Sequence, residues 1–135
     1  MKYFTMAEMT NSAVARILHI GNKPDAEAAE NLKALVMNVL DPARERIGMP
    51  IRVNSGYRSQ QLNKAVGGVS DSQHLLGEAA DVRVGSPAMN KRLYEVLLEL
   101  PFDQLIWEQG SDVGPAWIHV SYKRNGKNRR EVLRQ

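Results

Sequence analysis

The ten residues from Ser72 to Asp81 constrain the fold of this chain more than any other stretch. His74 and Gly77 stand among mostly small or apolar residues, and Asp81 opens a run, residues 81–84, that alternates polar and apolar side chains. This alternation predicts a half-buried strand whose valines face the core and whose aspartate faces the opposite side. Gly77 permits tight packing or an unusual backbone angle in the turn before the strand. The segment thus offers an imidazole and a carboxylate, which are two parts of a metal site.

A second strand-like run, Ala116–Tyr122, contains His119. A lone histidine in a strand is more often structural than a ligand, but the earlier His-x6-Asp spacing favours a ligand role for His119. Two imidazoles and a carboxylate leave a fourth position for water, as in catalytic zinc sites. The chain has no cysteine that could act as a softer ligand. We therefore predict one Zn²⁺ per chain, bound by His74, Asp81 and His119.

Three motifs occur in a fixed order along the chain. They are Ser55-Gly56-Tyr57-Arg58-Ser59, then Ser72-x-His74-x-x-Gly77-x-Ala79-x-Asp81, then Trp117-Ile118-His119-Val120. In these motifs the chain resembles the zinc D-alanyl-D-alanine carboxypeptidase family, which includes the L-alanyl-D-glutamate endopeptidases of phage lysis and shares its fold with the hedgehog signalling domain. The resemblance runs from about Phe4 to the last residues.

The resemblance implies a role for each matching residue. His74, Asp81 and His119 would bind the zinc ion, and Arg58 would contact the substrate or the developing oxyanion. Further substrate contacts are expected from the neighbouring motif residues, which are Ser72, Tyr57 and Trp117. The implied substrate is the stem peptide of peptidoglycan, cut either at an L-Ala-D-Glu bond or at a D-Ala bond.

Length and composition predict one ordinary globular domain spanning residues 1–135. The chain has 43% hydrophobic and 24% charged residues, typical of a soluble fold and too short for two comfortable domains. The first eight residues contain no apolar signal-peptide core, and no apolar run reaches membrane-spanning length. We expect a monomer without membrane insertion. It would be made in the cytoplasm and reach the cell wall after lysis, by another export route or on a phage particle. By its resemblance to the phage endopeptidases, the chain would be a phage or prophage enzyme.

The formal net charge is +3, and much of the excess lies in the segment 123–130. One interpretation is a solvated basic tail. The other is long-range attraction to a polyanion such as a cell-wall polymer. We expect no nucleic-acid binding, because no aromatic residues alternate with these charges to stack on bases.

The order of predicted elements favours an α+β fold with a small, mainly antiparallel sheet and helices packed on one face, as in the hedgehog-type zinc peptidases. The longest helix is predicted over residues 25–47, with a kink or break at Pro42. Strands are predicted at 51–55, 81–84, 104–109 and 116–122. A further helix begins at Pro87 and ends near Leu100, where Pro101 stops it.

A zinc peptidase needs a general base to take a proton from the attacking water. Many relatives carry an acidic residue three positions before the last histidine, but here that position is Ala116. If residues 110–115 form a hairpin loop, Glu108 pairs with Trp117 and lies on the His119 face of the sheet. We predict that Glu108 is the base, with Asp112 and Glu78 as the alternatives.

Three functions remain open from the sequence. The first is a zinc metallopeptidase in which zinc would polarise the scissile carbonyl and activate water. Glu108 would transfer the proton, and Arg58 would stabilise the charge on the carbonyl oxygen or on a substrate carboxylate. The second is a zinc-containing module that binds the cell wall without catalysis, which Ala116 would favour. The third is a phage structural component that positions a particle on the wall.

Overall fold

The computed structural model describes residues 1–135. The α-helices are α1 (Met6–Thr10), α2 (Ala13–Ile17), α3 (Ala26–Leu35), α4 (Asp41–Ile47), α5 (Gln60–Ala65) and α6 (Pro87–Leu98). The strands are β1 (Arg52–Ser55), β2 (Ala79–Arg83), β3 (Gln104–Glu108), β4 (Trp117–Ser121) and β5 (Glu131–Arg134). A π-helical turn (Val36–Leu40) joins α3 to α4, and a 3-10 turn (Gln73–Leu76) precedes β2. None of the helices has the length and apolar character that crossing a bilayer requires.

The five strands form one sheet in the order β1-β2-β4-β3-β5. All neighbouring strands are antiparallel except β5, which runs parallel to β3. Thr5, Ser12, Ser59 and Ser86 each accept a hydrogen bond from a backbone N–H in the first turn of the helix that follows, as N-cap residues do. The predicted α+β fold with a mainly antiparallel sheet is confirmed.

The hairpin between β3 and β4 fixes which side chains share a face. Glu108 is the register partner of Trp117, and Ile106 is the partner of His119. Gln109 and Gly110 turn the chain with positive φ angles of 54° and 74°. Glycine adopts this conformation readily, whereas a residue such as glutamine adopts it rarely. The register predicted from strand parity is therefore confirmed.

One side of the sheet packs on α3, the π-helical turn, α4 and α6. Alternation along the strands places Asp81 and His119 on the side facing away from these helices. The main core cluster comprises Phe4, Met9, Leu32, Leu35, Val36, Val39, Leu40, Ala43, Ile47, Ile51, Ala80, Val82, Leu93, Leu97, Leu100, Phe102, Leu105, Ile118 and Val120. The helices thus support the strands from behind and leave the opposite face for the site.

Of the predicted kink or break at Pro42, the break does not occur, and an irregularity lies just before the proline. The chain stays helical from Ala26 to Ile47, and the irregularity is a π-helical turn just before the proline, in which the Asp41 N–H donates to the Val36 carbonyl. Proline has no N–H to donate, and its ring crowds the carbonyl four residues earlier. A widened turn accommodates this conflict without ending the helix.

The basic C-terminal segment is folded rather than a free tail. Asp103 has no exposed surface, and its carboxylate accepts hydrogen bonds from the Arg129 backbone N–H and guanidinium at 2.8–3.1 Å and from Gln73 Nε2 at 2.9 Å. Arg124 binds Glu27 at 2.7 Å. These contacts fasten the segment against the sheet and place β5 beside β3. The sequence does not predict β5.

Asp103→Asn should lower the free energy of unfolding by about 1.5–3 kcal/mol at neutral pH, because hydrogen bonds to a charged group contribute about that much. Burial would raise the pKa of Asp103, but its hydrogen bonds with Arg129 and Gln73 lower it from 3.8 to about 2. The ionised carboxylate therefore stabilises the fold above about pH 4 and loses this effect as the pH falls toward 2. Urea denaturation across this pH range measures both effects.

Asp112→Asn is the matched control, because the Asp112 side chain is 96% exposed in its ion pair with Arg134. Its loss should change the free energy of unfolding by less than about 0.5 kcal/mol. An Asp103→Asn protein as stable as this control would show that Asp103 does not fasten the C-terminal segment.

Candidate metal centre and catalytic cleft

His74 is held by its own turn and by a neighbouring loop. Ser72 Oγ accepts a hydrogen bond from the His74 backbone N–H at 3.2 Å. The imidazole Nδ1 lies 2.7 Å from the Gly56 carbonyl oxygen, and the ring is almost completely buried. Because a carbonyl can only accept, Nδ1 carries a proton, and Nε2 is the ring nitrogen that faces Asp81. This orientation of the ring suits a metal ligand.

Gly77 ends the 3-10 turn with a φ of 72°. A Cβ at this position would lie 2.3 Å from the Ala28 carbonyl oxygen of α3. Both the backbone angle and the close approach therefore require glycine. The tight turn that follows His74 delivers the chain directly into β2 and Asp81.

The three predicted ligands converge on one point. Asp81 and His119 are register partners on β2 and β4. Asp81 Oδ1 lies 3.4 Å from His74 Nε2 and 3.2 Å from His119 Nδ1. All three donor atoms lie within 4.8 Å of one another. The 3-10 turn and the two strands thus bring together two histidines and an aspartate, although His74 and His119 are 45 positions apart in the sequence.

The donor set fits a zinc ion. Tetrahedral zinc has donors about 2.0–2.2 Å from the metal, which places the donors about 3.3–3.6 Å from each other. The distances from the Asp81 oxygen to the two imidazole nitrogens fall near this value. Two nitrogens and one oxygen also match catalytic zinc sites, which keep one position for water.

The Asp81 carboxylate is held in its ionised form. Burial would raise the pKa of Asp81, but hydrogen bonds with His119 and His74 and their positive charge lower it well below its usual range. Arg58 Nη2 also lies 3.7 Å from Asp81 Oδ2. An ionised carboxylate with one oxygen directed at both imidazoles is ready to bind a cation.

Arg58 is held by two hydrogen-bond partners that could not be predicted from the sequence. Its Nε donates to Ser55 Oγ at 3.1 Å, and its Nη1 donates to Asn63 Oδ1 at 3.0 Å. Burial lowers the pKa of Arg58 and the charge of Asp81 raises it, yet a guanidinium remains protonated at neutral pH. Arg58 therefore holds a fixed positive charge beside Asp81 in the cleft.

Residues 2–121 match the protein family described as Peptidase M15. The chain belongs to this family. It is also 42% identical over 67 residues to the zinc D-Ala-D-Ala carboxypeptidase of Streptomyces albus G. That similarity covers 49% of this chain and 26% of the length of the relative, so the chain spans only about a quarter of that protein.

In this member of the M15 family, a cleft of about 770 Å³ opens over the three predicted ligands. Of the other residues singled out in the sequence, the structure places five in its lining, which are Arg58, Ser72, Glu78, Glu108 and Trp117. Tyr57 lies outside it, in a neighbouring pocket of about 480 Å³ that also contains Arg58. The structure therefore does not bring Tyr57 to the ligands.

Glu108 is the acidic residue of the β3–β4 hairpin that reaches the cleft. Burial and the negative charge of Asp81 raise the pKa of Glu108, while the charge of His119 lowers it. The side chain is half-buried, so it combines proximity to the ligands with access from the cleft. These features suit a group that exchanges a proton with a bound water.

The two alternative bases are placed differently. Asp112 lies in the exposed hairpin loop, 2.6 Å from Arg134, and does not line the cleft. Glu78 does line it, and burial raises its pKa, the charge of Lys123 lowers it and that of Asp103 raises it. Ala116, at the position of the missing acid, donates its backbone N–H to the Glu108 carbonyl.

Several contacts around the ligands were invisible in the sequence. Gly56 orients His74, and Ser55 and Asn63 hold Arg58. Gly56 and Ser55 belong to the first motif, but nothing in the motif indicates which atoms they contact. Asn63 lies on α5 in a segment that gave no functional signal. Such contacts depend on tertiary packing rather than on local spacing.

Proposed function

We propose that residues 1–135 form one zinc peptidase domain that hydrolyses stem peptides of peptidoglycan, either at an L-Ala-D-Glu bond or at a D-Ala bond. The observation that carries the proposal is the convergence of His74, Asp81 and His119 beneath a cleft that also contains Glu108 and Arg58. Membership of the M15 family supports the reaction class. The zinc carboxypeptidase relative supports both the metal and the D-Ala alternative.

His74, Asp81 and His119 would hold the zinc ion. When bound, zinc acts as a Lewis acid toward the scissile carbonyl and lowers the pKa of water. Glu108 takes a proton from the attacking water and returns it to the leaving amine, so that water adds across the C–N bond and yields a carboxylate and an amine. Arg58 steadies the negative charge on the carbonyl oxygen or on a substrate carboxylate. Ser72 and Trp117 contact the peptide.

Turnover of purified peptidoglycan and of synthetic stem peptides tests the proposal. We expect cleavage by the zinc-loaded protein, loss of cleavage with a chelator and recovery on adding zinc. Mass analysis of the products identifies the bond. Without turnover on any stem peptide, the activity would be refuted.

A zinc-containing module that binds the cell wall is the second candidate. Ala116 favours it, because this position carries no acid. Peptidoglycan binding that needs zinc but gives no products would establish this alternative. We propose that in either case the protein acts as a monomer on the cell wall, without nucleic acid, and that a phage or prophage is its source.

Arg58→Lys should lower kcat/KM about 10–100-fold, because lysine keeps the charge but loses the planar fork that binds two oxygens. Zinc content should stay at one per chain. Steady-state kinetics and metal analysis measure the two quantities. Arg52→Lys is the control, since Arg52 is an exposed arginine on β1 that does not line the cleft. Equal kinetics for both variants would exclude a substrate role for Arg58.

A further inference from the structure

The C-terminal segment adds charged groups to the cleft from outside the family match. The match ends at residue 121, yet Lys123, Arg129 and Gln135 all line the cleft. These three residues could therefore give this chain a substrate preference that other members of the M15 family lack.

Lys123 is positioned by its own loop. Its backbone N–H donates to Asn128 Oδ1 at 2.8 Å, and Asn128 Nδ2 donates to the Lys123 carbonyl at 3.4 Å. A Cβ at Gly126 would lie 3.2 Å from Lys123 Cδ, so the side-chain stem runs close over this glycine. Arg124 anchors the same loop to Glu27 and Asn31.

The charges in this part of the cleft divide into a satisfied pair and two unsatisfied groups. Arg129 and Asp103 neutralise each other through two guanidinium hydrogen bonds. The Lys123 ammonium and the Glu78 carboxylate take part in no ion pair and no side-chain hydrogen bond, either with each other or with other groups. Both residues are half-buried. The two groups are nevertheless close enough to interact electrostatically, since the charge of Lys123 lowers the pKa of Glu78.

We propose that Lys123 and Glu78 form a subsite for a substrate side chain that carries both a carboxylate and an ammonium group. The carboxylate would bind Lys123 and the ammonium would bind Glu78. Each charge of the substrate side chain would then face an opposite charge of the protein. This inference rests on the proposed peptidase function and adds the chemical class of the recognised residue.

The position of the subsite agrees with this assignment. Glu78 lies three residues before Asp81, about 10 Å along an extended chain. Lys123 follows His119 in sequence, whereas Trp117, the partner of Glu108, precedes it. The subsite and the proposed base therefore lie on opposite sides of the ligands. A substrate residue two positions from the scissile bond, about 7 Å away, could reach the subsite with a long side chain.

Three peptides of the form L-Ala-γ-D-Glu-X-D-Ala-D-Ala test the proposal, with X two residues from each of the candidate bonds. X is diaminopimelate, which carries an ammonium and a carboxylate, or lysine, which carries an ammonium alone, or norleucine, which carries neither. We expect kcat/KM to fall about tenfold from diaminopimelate to lysine and again from lysine to norleucine, since hydrogen bonds to charged groups contribute about this much.

Single substitutions test which residue causes each of the two decreases in kcat/KM. Lys123→Gln should abolish the preference for diaminopimelate over lysine, and Glu78→Gln should abolish the preference for lysine over norleucine. Lys127→Gln should keep both, because Lys127 belongs to the same loop but does not line the cleft. If Glu78 were the general base instead, Glu78→Gln would slow all three peptides equally.

Equal kcat/KM for the three peptides in the unchanged protein, or unaltered preferences in Lys123→Gln, would overturn the subsite. If no peptide is cleaved, the proposed peptidase function is wrong. The affinities of the three peptides then test the subsite. Calorimetric titration of the zinc-loaded protein should still give the affinity order diaminopimelate, lysine, norleucine. Equal affinities would overturn the subsite independently of catalysis.

Discussion

Glu108→Gln should lower kcat on a stem peptide about 10²–10⁴-fold, which is the usual contribution of a general base. Glutamine has nearly the same size and hydrogen-bonding capacity, but it cannot accept the proton of the attacking water. Because Glu108 is half-buried and makes no side-chain hydrogen bond or ion pair within the protein, its replacement should leave zinc content and thermal stability unchanged. Steady-state kinetics, metal analysis and calorimetric unfolding together measure the three quantities.

The two other acidic candidates serve as controls for this prediction. Asp112→Asn should be silent, because Asp112 lies in the exposed loop outside the cleft. Glu78→Gln should leave the norleucine peptide at its normal rate, since only ammonium-bearing substrates engage it. Normal turnover in Glu108→Gln with zinc bound would show that another group moves the proton, and a rate loss on every peptide in Glu78→Gln would identify that group.

Strand parity explains why the register around the site could be predicted. Side chains alternate with a period of two, so once the loop over residues 110–115 is assumed, Glu108 and His119 must share a face. The same rule places Asp81 opposite its apolar neighbours. The structure has this register. Its prediction needed only local sequence, because a one-residue slip would have exposed the core side chains.

Other features could not be predicted because their cause is not local. β5 carries only four residues, Glu131–Arg134, and all of them are exposed, so it has no alternating pattern. Its position depends on the buried carboxylate of Asp103, which is distant in sequence from Arg129. The helix likewise continues past Pro42, because apolar side chains before and after the π-helical turn pack into the same core. In each case tertiary contacts override what the local sequence favours.

Tyr57 and Arg58 illustrate the limit of transferring roles along a motif. They are neighbours in sequence, but Arg58 enters the cleft while Tyr57 lies in the adjoining pocket. The backbone N–H of Tyr57 donates to the Met9 carbonyl, which ties this residue to α1. Adjacent residues leaving a strand point in different directions, so a shared motif does not imply a shared site.

Replacing a metal ligand should have the second large effect. His74→Ala, Asp81→Ala and His119→Ala should each reduce zinc from one per chain to a small fraction, because two donors cannot hold the ion as three do. Turnover should fall by about 10³-fold or more, since Lewis-acid stabilisation contributes several kcal/mol to the barrier. Metal analysis after dialysis measures the first effect and is independent of catalysis.

Two further variants separate loss of the ligand from loss of the fold. Asp81→Asn keeps the size of the side chain but removes its negative charge, so a folded protein with weak zinc binding is expected. His19→Asn removes the third histidine, which is exposed and lies outside the cleft, and asparagine tolerates its φ of 54°. This protein should keep full zinc and turnover. Stoichiometric zinc in any one of the alanine variants would remove that residue from the ligand set, whereas zinc loss in His19→Asn would place the metal elsewhere.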